Sequence, residues 1–414
     1  MPKFRDRRAA ELYAELTSQT RVFQQQPGDV LPELVLHVSE GCNLACKYCF
    51  ADEGKYGAAH SIFMTESAAR RAVDRAVEAY RGIGKIKFFG GEPLLNVKAI
   101  RAAAERLAHH VDAGRLEKLP EFVTISNMTV THAQAVNAVR ELGIRITGSI
   151  DGPPEIHDAM RVFQSGKGSF AQVDAGIKTY LELGQPECLE VVYSALHVKA
   201  GMSMIDVHEW LVDRYGIHAI IMHPMKPMPG VRDLDWADFN ERIFDLSRDY
   251  GRFCAQQALE RHDVLLTRHL VGRMISKERG DQHCGLGVQT LTVTAGESIY
   301  PCYMFIGQEG FEMAPPSAEG NFRSSPTFKP IQQMFVDNRK SQNPVCRDCD
   351  VVKTCQMCPG SFYHGAGGID KPLEWACDYR IGTDEGVLVG VLDVWDRPDG
   401  EALIGAAMDS VWAD

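Results

Sequence analysis

The chain has 414 residues, of which 45% are hydrophobic and 24% are charged, and its formal net charge is −11 at pH 7. This length suits one large domain with a smaller one, or two to three ordinary domains. The acidic balance argues against a broad surface for nucleic acid, which needs clustered Lys and Arg. No apolar run approaches the roughly 20 residues of a membrane span, and the charged N-terminal segment lacks the apolar core of a signal peptide. We therefore expect a cytoplasmic protein that uses neither a membrane nor a nucleic acid as a partner.

Taken in chain order, the sequence begins with an amphipathic helix and a Gln/Pro/Gly linker over residues 1–30. Strand-like segments then alternate with helical patterns, and each strand except the last is followed by a helix. The six strand-like segments are LPELVLHVS, KIKFFGG, EFVTISN, IRITGSIDG, ECLEVVYSAL and HAIIMHPM. This alternation predicts an α/β fold, a parallel sheet or partial (β/α)6 TIM-like barrel over residues 31–233, with ligands at the C-terminal ends of its strands. Residues 234–280 are predicted to form a helical bridge, residues 281–383 a cysteine-rich domain and residues 384–414 a C-terminal tail.

The twelve cysteines are unevenly distributed. In a reducing compartment they are not expected to form disulfides, and thiols grouped at short spacings indicate metal binding. Cys42, Cys46 and Cys49 form a first group, while Cys188 and Cys254 stand alone and are interpreted as buried thiols. The second group contains Cys284, Cys302, Cys346, Cys349, Cys355, Cys358 and Cys377.

The first cysteine group has the spacing Cys42-x3-Cys46-x2-Cys49 and directly follows the first predicted strand. Three thiolates on a tight loop can hold three irons of a [4Fe–4S] cluster and leave the fourth iron open to a ligand with an amino and a carboxylate group. A structural zinc site is the alternative, but zinc requires a fourth Cys or His ligand, for which His60 is the next nearby residue. The spacing favours the cluster.

The segment CNLACKYC, with Tyr48 before its last cysteine, resembles the signature of the radical SAM superfamily. The resemblance implies S-adenosylmethionine (SAM) as a cofactor, which the reduced cluster cleaves to a 5′-deoxyadenosyl radical. The segment Gly90-Gly91-Glu92-Pro93 ends the second predicted strand, where the superfamily receives the amino group of SAM. Its glycine pair would leave the backbone close to the ligand, and the Glu92 carboxylate would accept from the ammonium.

The same resemblance, which covers roughly residues 31–225, implies SAM contacts at the ends of the following strands. They are Ser126 and Asn127 after the third strand, Ser149 and Asp151 after the fourth, and Arg161. Arg161 would pair with the methionine carboxylate through charge-assisted hydrogen bonds. Taken singly, Ser126, Asn127 and Asp151 suit strand-end capping and turn formation equally well.

The second cysteine group contains Cys346-x2-Cys349-x5-Cys355-x2-Cys358, whose CxxC pairs taken alone favour a zinc ribbon. Behind a radical SAM core the array instead resembles the SPASM extension, which carries two auxiliary [4Fe–4S] clusters in enzymes that modify peptides and proteins. The resemblance therefore implies three [4Fe–4S] clusters in all. It assigns Cys284, Cys302 and Cys358 to a first auxiliary cluster, and Cys346, Cys349, Cys355 and Cys377 to a second.

Two departures from the SPASM pattern bear on the first auxiliary cluster. The last cysteine pair is separated by two residues where the family has three, and no cysteine lies between Cys284 and Cys302. Three thiolates would leave one iron open, and a soft sulfur ligand such as a peptide cysteine could bind it. The hairpin-like stretch LTVTAGESIYPCYMF includes Tyr303, at a position where sulfatase-maturing enzymes typically place an acidic residue.

The stretch PCYMFIGQE resembles that of maturases that form cysteine thioether bridges. We therefore expect a radical SAM oxidoreductase that installs a thioether crosslink in a ribosomally made precursor peptide. Carbon–carbon crosslinking, epimerisation, decarboxylation and sulfatase-maturase-like oxidation of Cys or Ser stay open, as does, more remotely, a non-catalytic electron-transfer or regulatory protein. The expected partners are the precursor peptide and an external one-electron reductant of the flavodoxin or ferredoxin type. About thirty residues before the core are too few for a packed domain, so a separate leader-binding protein or the N-terminal helix would capture the leader.

Overall fold

The structure is a computed structural model that describes residues 3–225, 236–261, 270, 272–318 and 320–412. Its strands are β1 (Arg21–Phe23), β2 (Val30–Glu40), β3 (Ile62–Phe63), β4 (Gly82–Gly90), β5 (Glu121–Ser126), β6 (Arg145–Ser149), β7 (Cys188–Tyr193), β8 (Ile220–Pro224), β9 (Glu278–Gly280), β10 (Thr290–Val293) and β11 (Ile299–Tyr300). Its helices are α1 (Arg7–Leu16), α2 (Glu66–Ala79), α3 (Val97–Asp112), α4 (Ala133–Leu142), α5 (Pro154–Met160), α6 (Phe170–Leu181), α7 (Ala195–Lys199), α8 (Met204–Tyr215), α9 (Trp236–Glu260), α10 (Arg273–Ile275), α11 (Phe328–Asp337), α12 (Pro359–Ala366), α13 (Glu374–Trp395) and α14 (Gly400–Trp412). None of the described helices is both long and apolar enough to cross a membrane.

The central sheet runs in the order β11-β10-β2-β4-β5-β6-β7-β8, with β3 added to β2. The six strands from β2 through β8 in this order pair in parallel, each joined to the next by at least one helix. The predicted α/β fold with its parallel sheet is therefore confirmed. The helices bury small apolar faces against the sheet, as in α2, where Ala69, Val73 and Ala76 are fully buried. Parallel strands need covering helices of this kind, and their carboxyl ends then share one edge.

The sheet continues beyond the barrel strands into the cysteine-rich region. Strand β10 pairs in parallel with β2, with Leu291 opposite Leu34, and turns back into β11. The hairpin expected from the sequence is thus present, and it leads directly into Cys302. The strands that lead into the two cysteine regions consequently belong to one hydrogen-bonded sheet.

Helix α13 packs closely along α9. Three glycines at four-residue intervals, Gly382, Gly386 and Gly390, make this approach possible: a Cβ on Gly386 would lie 1.9 Å from the Arg248 carbonyl oxygen. Small residues at such spacing let two helix backbones come together. The boundary drawn at residue 384 falls inside α13, so the segment expected to be a tail begins within a buried helix.

The N-terminal segment is tied to this helix pair. The Asp6 backbone N–H donates to Glu385 Oε2 at 3.0 Å, and the Arg248 Nε donates to Glu385 Oε1 at 2.6 Å. Glu385 is fully buried, and a buried carboxylate requires such partners. The Tyr13 hydroxyl of α1 also contacts Thr354 Oγ1 at 3.2 Å, next to Cys355.

Candidate active site at the ends of the barrel strands

The loop that carries the first cysteine group is held by backbone hydrogen bonds to the segment after α5. The Ala45 N–H donates to the Val162 carbonyl at 2.7 Å, and the Lys47 N–H donates to the Met160 carbonyl at 2.9 Å. All three thiols of the group line one cavity at the carboxyl ends of the strands, which encloses about 1580 Å³ including its solvent-open mouth. The spacing therefore brings Cys42, Cys46 and Cys49 together on a fixed loop.

The glycine pair after β4 lets the chain pass within contact distance of this loop. Gly90 has φ +146°, and a Cβ there would lie 2.0 Å from the Ser39 carbonyl oxygen. A Cβ on Gly91 would lie 2.4 Å from the Gly41 carbonyl oxygen and 2.9 Å from Cys42 Cβ. Only glycine fits these positions, and both residues line the cavity, so a ligand can reach the bare backbone.

Arg161 is a buried cation on the wall of the cavity. Its Nη1 donates to the Tyr48 hydroxyl at 2.7 Å, and the same hydroxyl donates to Asp151 Oδ2 at 2.6 Å. Burial opposes the charge of Arg161, but Tyr48, Cys46 and Asp151 outweigh burial and raise its pKa well above the ordinary value. The Arg161 Nε is buried and has no hydrogen-bond partner within the described residues. A buried donor without a partner beside three thiols fits the carboxylate of a ligand.

Glu92 takes a different position from the one expected. Its carboxylate is fully buried and lies outside the cavity lining. Oε1 accepts from the Leu94 N–H at 3.0 Å and the Ser126 hydroxyl at 3.1 Å, and Oε2 accepts from the Asn127 N–H at 2.7 Å. Burial raises the pKa of Glu92 to about 7, although these hydrogen bonds act in the opposite direction. The carboxylate therefore joins the ends of β4 and β5 instead of pointing toward a ligand, because three protein donors converge on it.

The remaining expected contacts divide into two groups. Ser126, Asn127 and Ser149 line the cavity together with Tyr48, while Pro93 and Asp151 do not. The Asn127 Nδ2 donates to Asn43 Oδ1 at 2.9 Å and lies 3.6 Å from Cys42 Sγ. Pro93 starts a single-turn helix, Pro93–Asn96, behind the glycine pair, and Pro93 and Leu94 of this helix are buried. The polar side chains of this region therefore line the cavity and also hold the loop that carries the first cysteine group.

Two cavity residues, Glu190 and His223, were not found from the sequence. Glu190 and His223 lie on adjacent strands, with His223 Nε2 3.2 Å from Glu190 Oε1. Tyr303 stacks on Phe89 with ring centroids 4.2 Å apart and also borders the cavity. No potential partner stands near His223 in the sequence, so the local pattern does not indicate its role. Strand alternation would have placed both residues of the pair on the barrel face.

The second cysteine group separates into two sets. Burial above all, and then the thiols of Cys358 and Cys302, raise the pKa of Cys284 far above its ordinary value. Burial raises the pKa of Cys302 to about 12, and Cys358 acts in the same direction. Cys284, Cys302 and Cys358 therefore lie within electrostatic range of one another. Cys358 also lines the large cavity that contains the first cysteine group.

The other four cysteines, Cys346, Cys349, Cys355 and Cys377, line a second, smaller cavity. Burial raises the pKa of the Cys346 thiol to about 12, and Cys355 and Cys349 add to the effect. Two cations, Lys340 and Arg380, line the same cavity, and the Lys340 Nζ donates to the Cys355 carbonyl at 2.9 Å. Thiols held neutral by burial become ligands when a metal centre stabilises the thiolate. Within the described residues, no three Cys, His, Asp or Glu side chains are arranged to hold a single metal ion.

Comparison with known proteins finds a family match within the barrel. Residues 36–211 match the family model described as the radical SAM superfamily. An uncharacterized protein of Methanocaldococcus jannaschii is 31% identical over 141 residues, which are 34% of this chain and 46% of that protein. The chain thus spans less than half the length of this curated relative.

Two relatives extend over most of the chain. The radical SAM cyclopropyl synthase TigE of Paramaledivibacter caminithermalis is 24% identical over 87% of this chain and 75% of its own length. The cysteine-type anaerobic sulfatase-maturating enzyme of Clostridium perfringens is 23% identical over 79% of this chain and 87% of its own length. These matches continue past the barrel into the cysteine-rich region.

Two solved structures share the fold. Native anSMEcpe with bound AdoMet has a TM-score of 0.67 at 16% identity, covering 91% of this chain and 99% of its own. Streptococcus suis SuiB bound to S-adenosylmethionine has a TM-score of 0.52 at 13% identity, covering 87% of this chain and 79% of its own. The expected combination of a radical SAM fold with a cysteine-rich C-terminal region is therefore present.

Proposed function

We propose that this protein is a radical SAM enzyme that installs a cysteine thioether crosslink in a ribosomally made precursor peptide. One observation carries the proposal: a single open cavity is lined by Cys42, Cys46 and Cys49 and also by Cys358. A bound [4Fe–4S] cluster with SAM would supply the 5′-deoxyadenosyl radical that takes a hydrogen atom from a peptide carbon.

The residues present suit these cofactors. Cys42, Cys46 and Cys49 would hold the first cluster, the Gly90–Gly91 backbone would meet the SAM amino group, and Arg161 would bind the methionine carboxylate. Cys284, Cys302 and Cys358 would hold the first auxiliary cluster, and Cys346, Cys349, Cys355 and Cys377 the second. Tyr48 and Asp151 hold Arg161 in place, so this chain fixes the cation before SAM arrives.

The relatives support a peptide substrate. SuiB has been solved bound to the precursor peptide SuiA, and the Clostridium perfringens relative is named as a sulfatase-maturating enzyme. The thioether product rests on Cys358 beside the first cysteine group, because an auxiliary cluster with three protein thiolates can take a substrate sulfur. Tyr303 contributes an aromatic ring stacked on Phe89 at this point of the cavity.

The mass of a cysteine-containing peptide encoded beside the gene tests the proposal. The peptide is incubated anaerobically with reconstituted enzyme, SAM and reductant. Loss of two hydrogens together with loss of an alkylatable thiol is the expected result. Conversion of the cysteine to an aldehyde with loss of sulfur would favour sulfatase-maturase-like oxidation instead. An unchanged peptide with 5′-deoxyadenosine still produced would reject the thioether reaction for this peptide.

The assignment of the first auxiliary set is tested with Cys284→Ala. We expect this variant to bind fewer irons and to form no crosslink. Cys188→Ala is the matched control, since Cys188 lies on β7 and belongs to neither cysteine set, and it should leave the iron content unchanged. If Cys284 is dispensable for both iron content and product, the assignment is wrong.

A further inference from the structure

Among the described residues, the lining of the large cavity contains one carboxylate and one imidazole, those of Glu190 and His223. The carboxylates of Glu92 and Asp151 are almost fully buried and do not line the cavity. Glu190 and His223 therefore bring to the described part of the lining the two kinds of side chain that most often act as general bases.

The backbone explains why the two side chains meet. Alternate residues of β7 are fully buried, and Glu190 lies between them on the barrel face. Strand β8 pairs in parallel with β7 and places His223 opposite Val192, one pleat further toward the carboxyl end. The side chains converge there, with His223 Nε2 3.2 Å from Glu190 Oε1.

The solvent exposure of Glu190 and His223 distinguishes this pair from an ion pair that stabilises the fold. The Glu190 side chain is 24% exposed and the His223 side chain is 49% exposed. Such a contact at a wetted surface adds little to stability. His223 lies near the carboxyl end of β8, and Glu190 is level with Ser149 at the carboxyl end of β6, which is the side of this class of fold where ligands bind.

We propose that Glu190 and His223 act together as the general base that removes the thiol proton of the peptide cysteine during sulfur–carbon bond formation. This inference rests on the proposed thioether reaction. Joining a thiol to a carbon breaks one S–H and one C–H bond and forms one C–S bond. The carbon-bound hydrogen leaves as an atom to the SAM-derived radical, the thiol proton passes to the imidazole, and one electron passes to an oxidised iron–sulfur cluster.

The geometry suits this role. When the His223 Nε2–H donates to the Glu190 carboxylate, the imidazole keeps Nδ1 as its acceptor, and the carboxylate stabilises the imidazolium that forms. Among the described residues, Cys188 on the same strand and Tyr303 across the cavity are titratable groups within electrostatic range of Glu190. Tyr303 directly follows Cys302, so the pair lies near the first auxiliary cysteine set.

The test compares Glu190→Gln and His223→Gln with two controls at the opposite ends of the same strands. Glu187→Gln precedes β7, where Glu187 bonds Arg145 on the surface, and His218→Gln precedes β8 near Arg261. Crosslinked peptide and 5′-deoxyadenosine are measured separately from pH 6.5 to 9, with iron content and melting temperature as folding checks. Glu190→Asp keeps the carboxylate and serves as the conservative variant.

We expect the site variants to cleave SAM nearly as wild type does, but to form about 10²-fold less crosslink per 5′-deoxyadenosine at pH 7. The loss should shrink as pH approaches about 8.5, where a free thiol ionises unaided. Glu190→Asp should recover part of the product, and both controls should match wild type. Normal crosslink in the site variants, or a loss that does not change with pH, would overturn the inference while the thioether reaction stands. Wild-type enzyme that cleaves SAM without crosslinking would overturn both.

Discussion

Replacing Arg161 by Lys tests the geometry of the SAM site most directly. Arg161 is only 7% exposed and lies 3.7 Å from Asp151 Oδ1, so it cannot lose its charge without leaving a buried carboxylate unpaired. Lysine keeps that charge and should therefore keep the fold. It lacks the planar fork of donors, including the buried Nε that has no protein partner.

The expected cost is the loss of one charge-assisted hydrogen bond to the methionine carboxylate. Such a bond contributes about 1.5–3 kcal/mol, which corresponds to a roughly 10- to 150-fold weaker SAM affinity. The assay is anaerobic calorimetric titration of SAM into cluster-loaded protein. Decarboxylated SAM is the matched ligand, because it lacks the group that Arg161 is expected to bind.

Wild type and Arg161→Lys should bind decarboxylated SAM equally well. Arg145→Lys is the matched protein control, since Arg145 pairs with Glu187 and Glu121 on the surface at the other end of β6. Unchanged SAM affinity in Arg161→Lys would refute the assignment of the carboxylate site. An equal loss for both ligands would mean that Arg161 shapes the cavity without contacting the carboxylate.

Three further changes give distinct readouts. Burial raises the pKa of Glu92 from 4.5 to about 7. The contribution of Glu92 to the free energy of unfolding is therefore complete below pH 4.5 and is lost as the pH rises through 7. The total loss is about 3 kcal/mol. The melting temperature of the wild type should therefore fall more between pH 5 and pH 8 than the melting temperature of Glu92→Gln. Gly91→Ala places a Cβ 2.4 Å from the Gly41 carbonyl oxygen and should reduce binding of the cluster proposed at Cys42, measured by metal analysis and electron paramagnetic resonance. Lys340→Met removes a buried cation from the second cysteine cavity and should lower the reduction potential of the cluster proposed there by roughly 100 mV, measured by potentiometric titration.

Each of these changes has a control or a contrary result. Gly405→Ala adds a Cβ into open space on α14 and should leave iron binding intact. Lys329→Met removes an exposed cation from α11 and should leave the potential unchanged. For Glu92→Gln, a melting difference that is constant with pH would show that the carboxyl does not titrate in this range.

The barrel was predictable from the sequence because its strands and helices alternate with clear periods. The addition of β10 to β2 was not, since that pairing joins residues more than 250 positions apart and no local pattern encodes it. The sequence predicts a tail over residues 384–414 for a related reason. Asp384 and Glu385 are fully buried in α13, and only the glycines that admit α9 indicate that packing.

The candidate site was predictable where backbone spacing decides the outcome, as for Cys42 and the glycine pair. The parts of the site that depend on the direction in which a side chain points were not predictable. Glu92 stands in the expected motif, yet its carboxylate turns inward to three donors whose convergence depends on the meeting of two strands. His223 and Glu190 lie 33 residues apart and become partners only through the β7–β8 register.

The continuous ladder from β11 to β8 has a kinetic consequence. Electron tunnelling between two redox centres slows steeply as the distance between them grows. In a protein with a hinge between its redox centres, the rate of electron transfer would therefore change whenever the hinge moves. Here the hairpin that leads into Cys302 is hydrogen-bonded to the same strand, β2, that leads into Cys42. The spacing between the two cysteine regions is thereby held by one sheet, so in the proposed reaction a peptide would enter and leave the cavity without changing the length of the electron path.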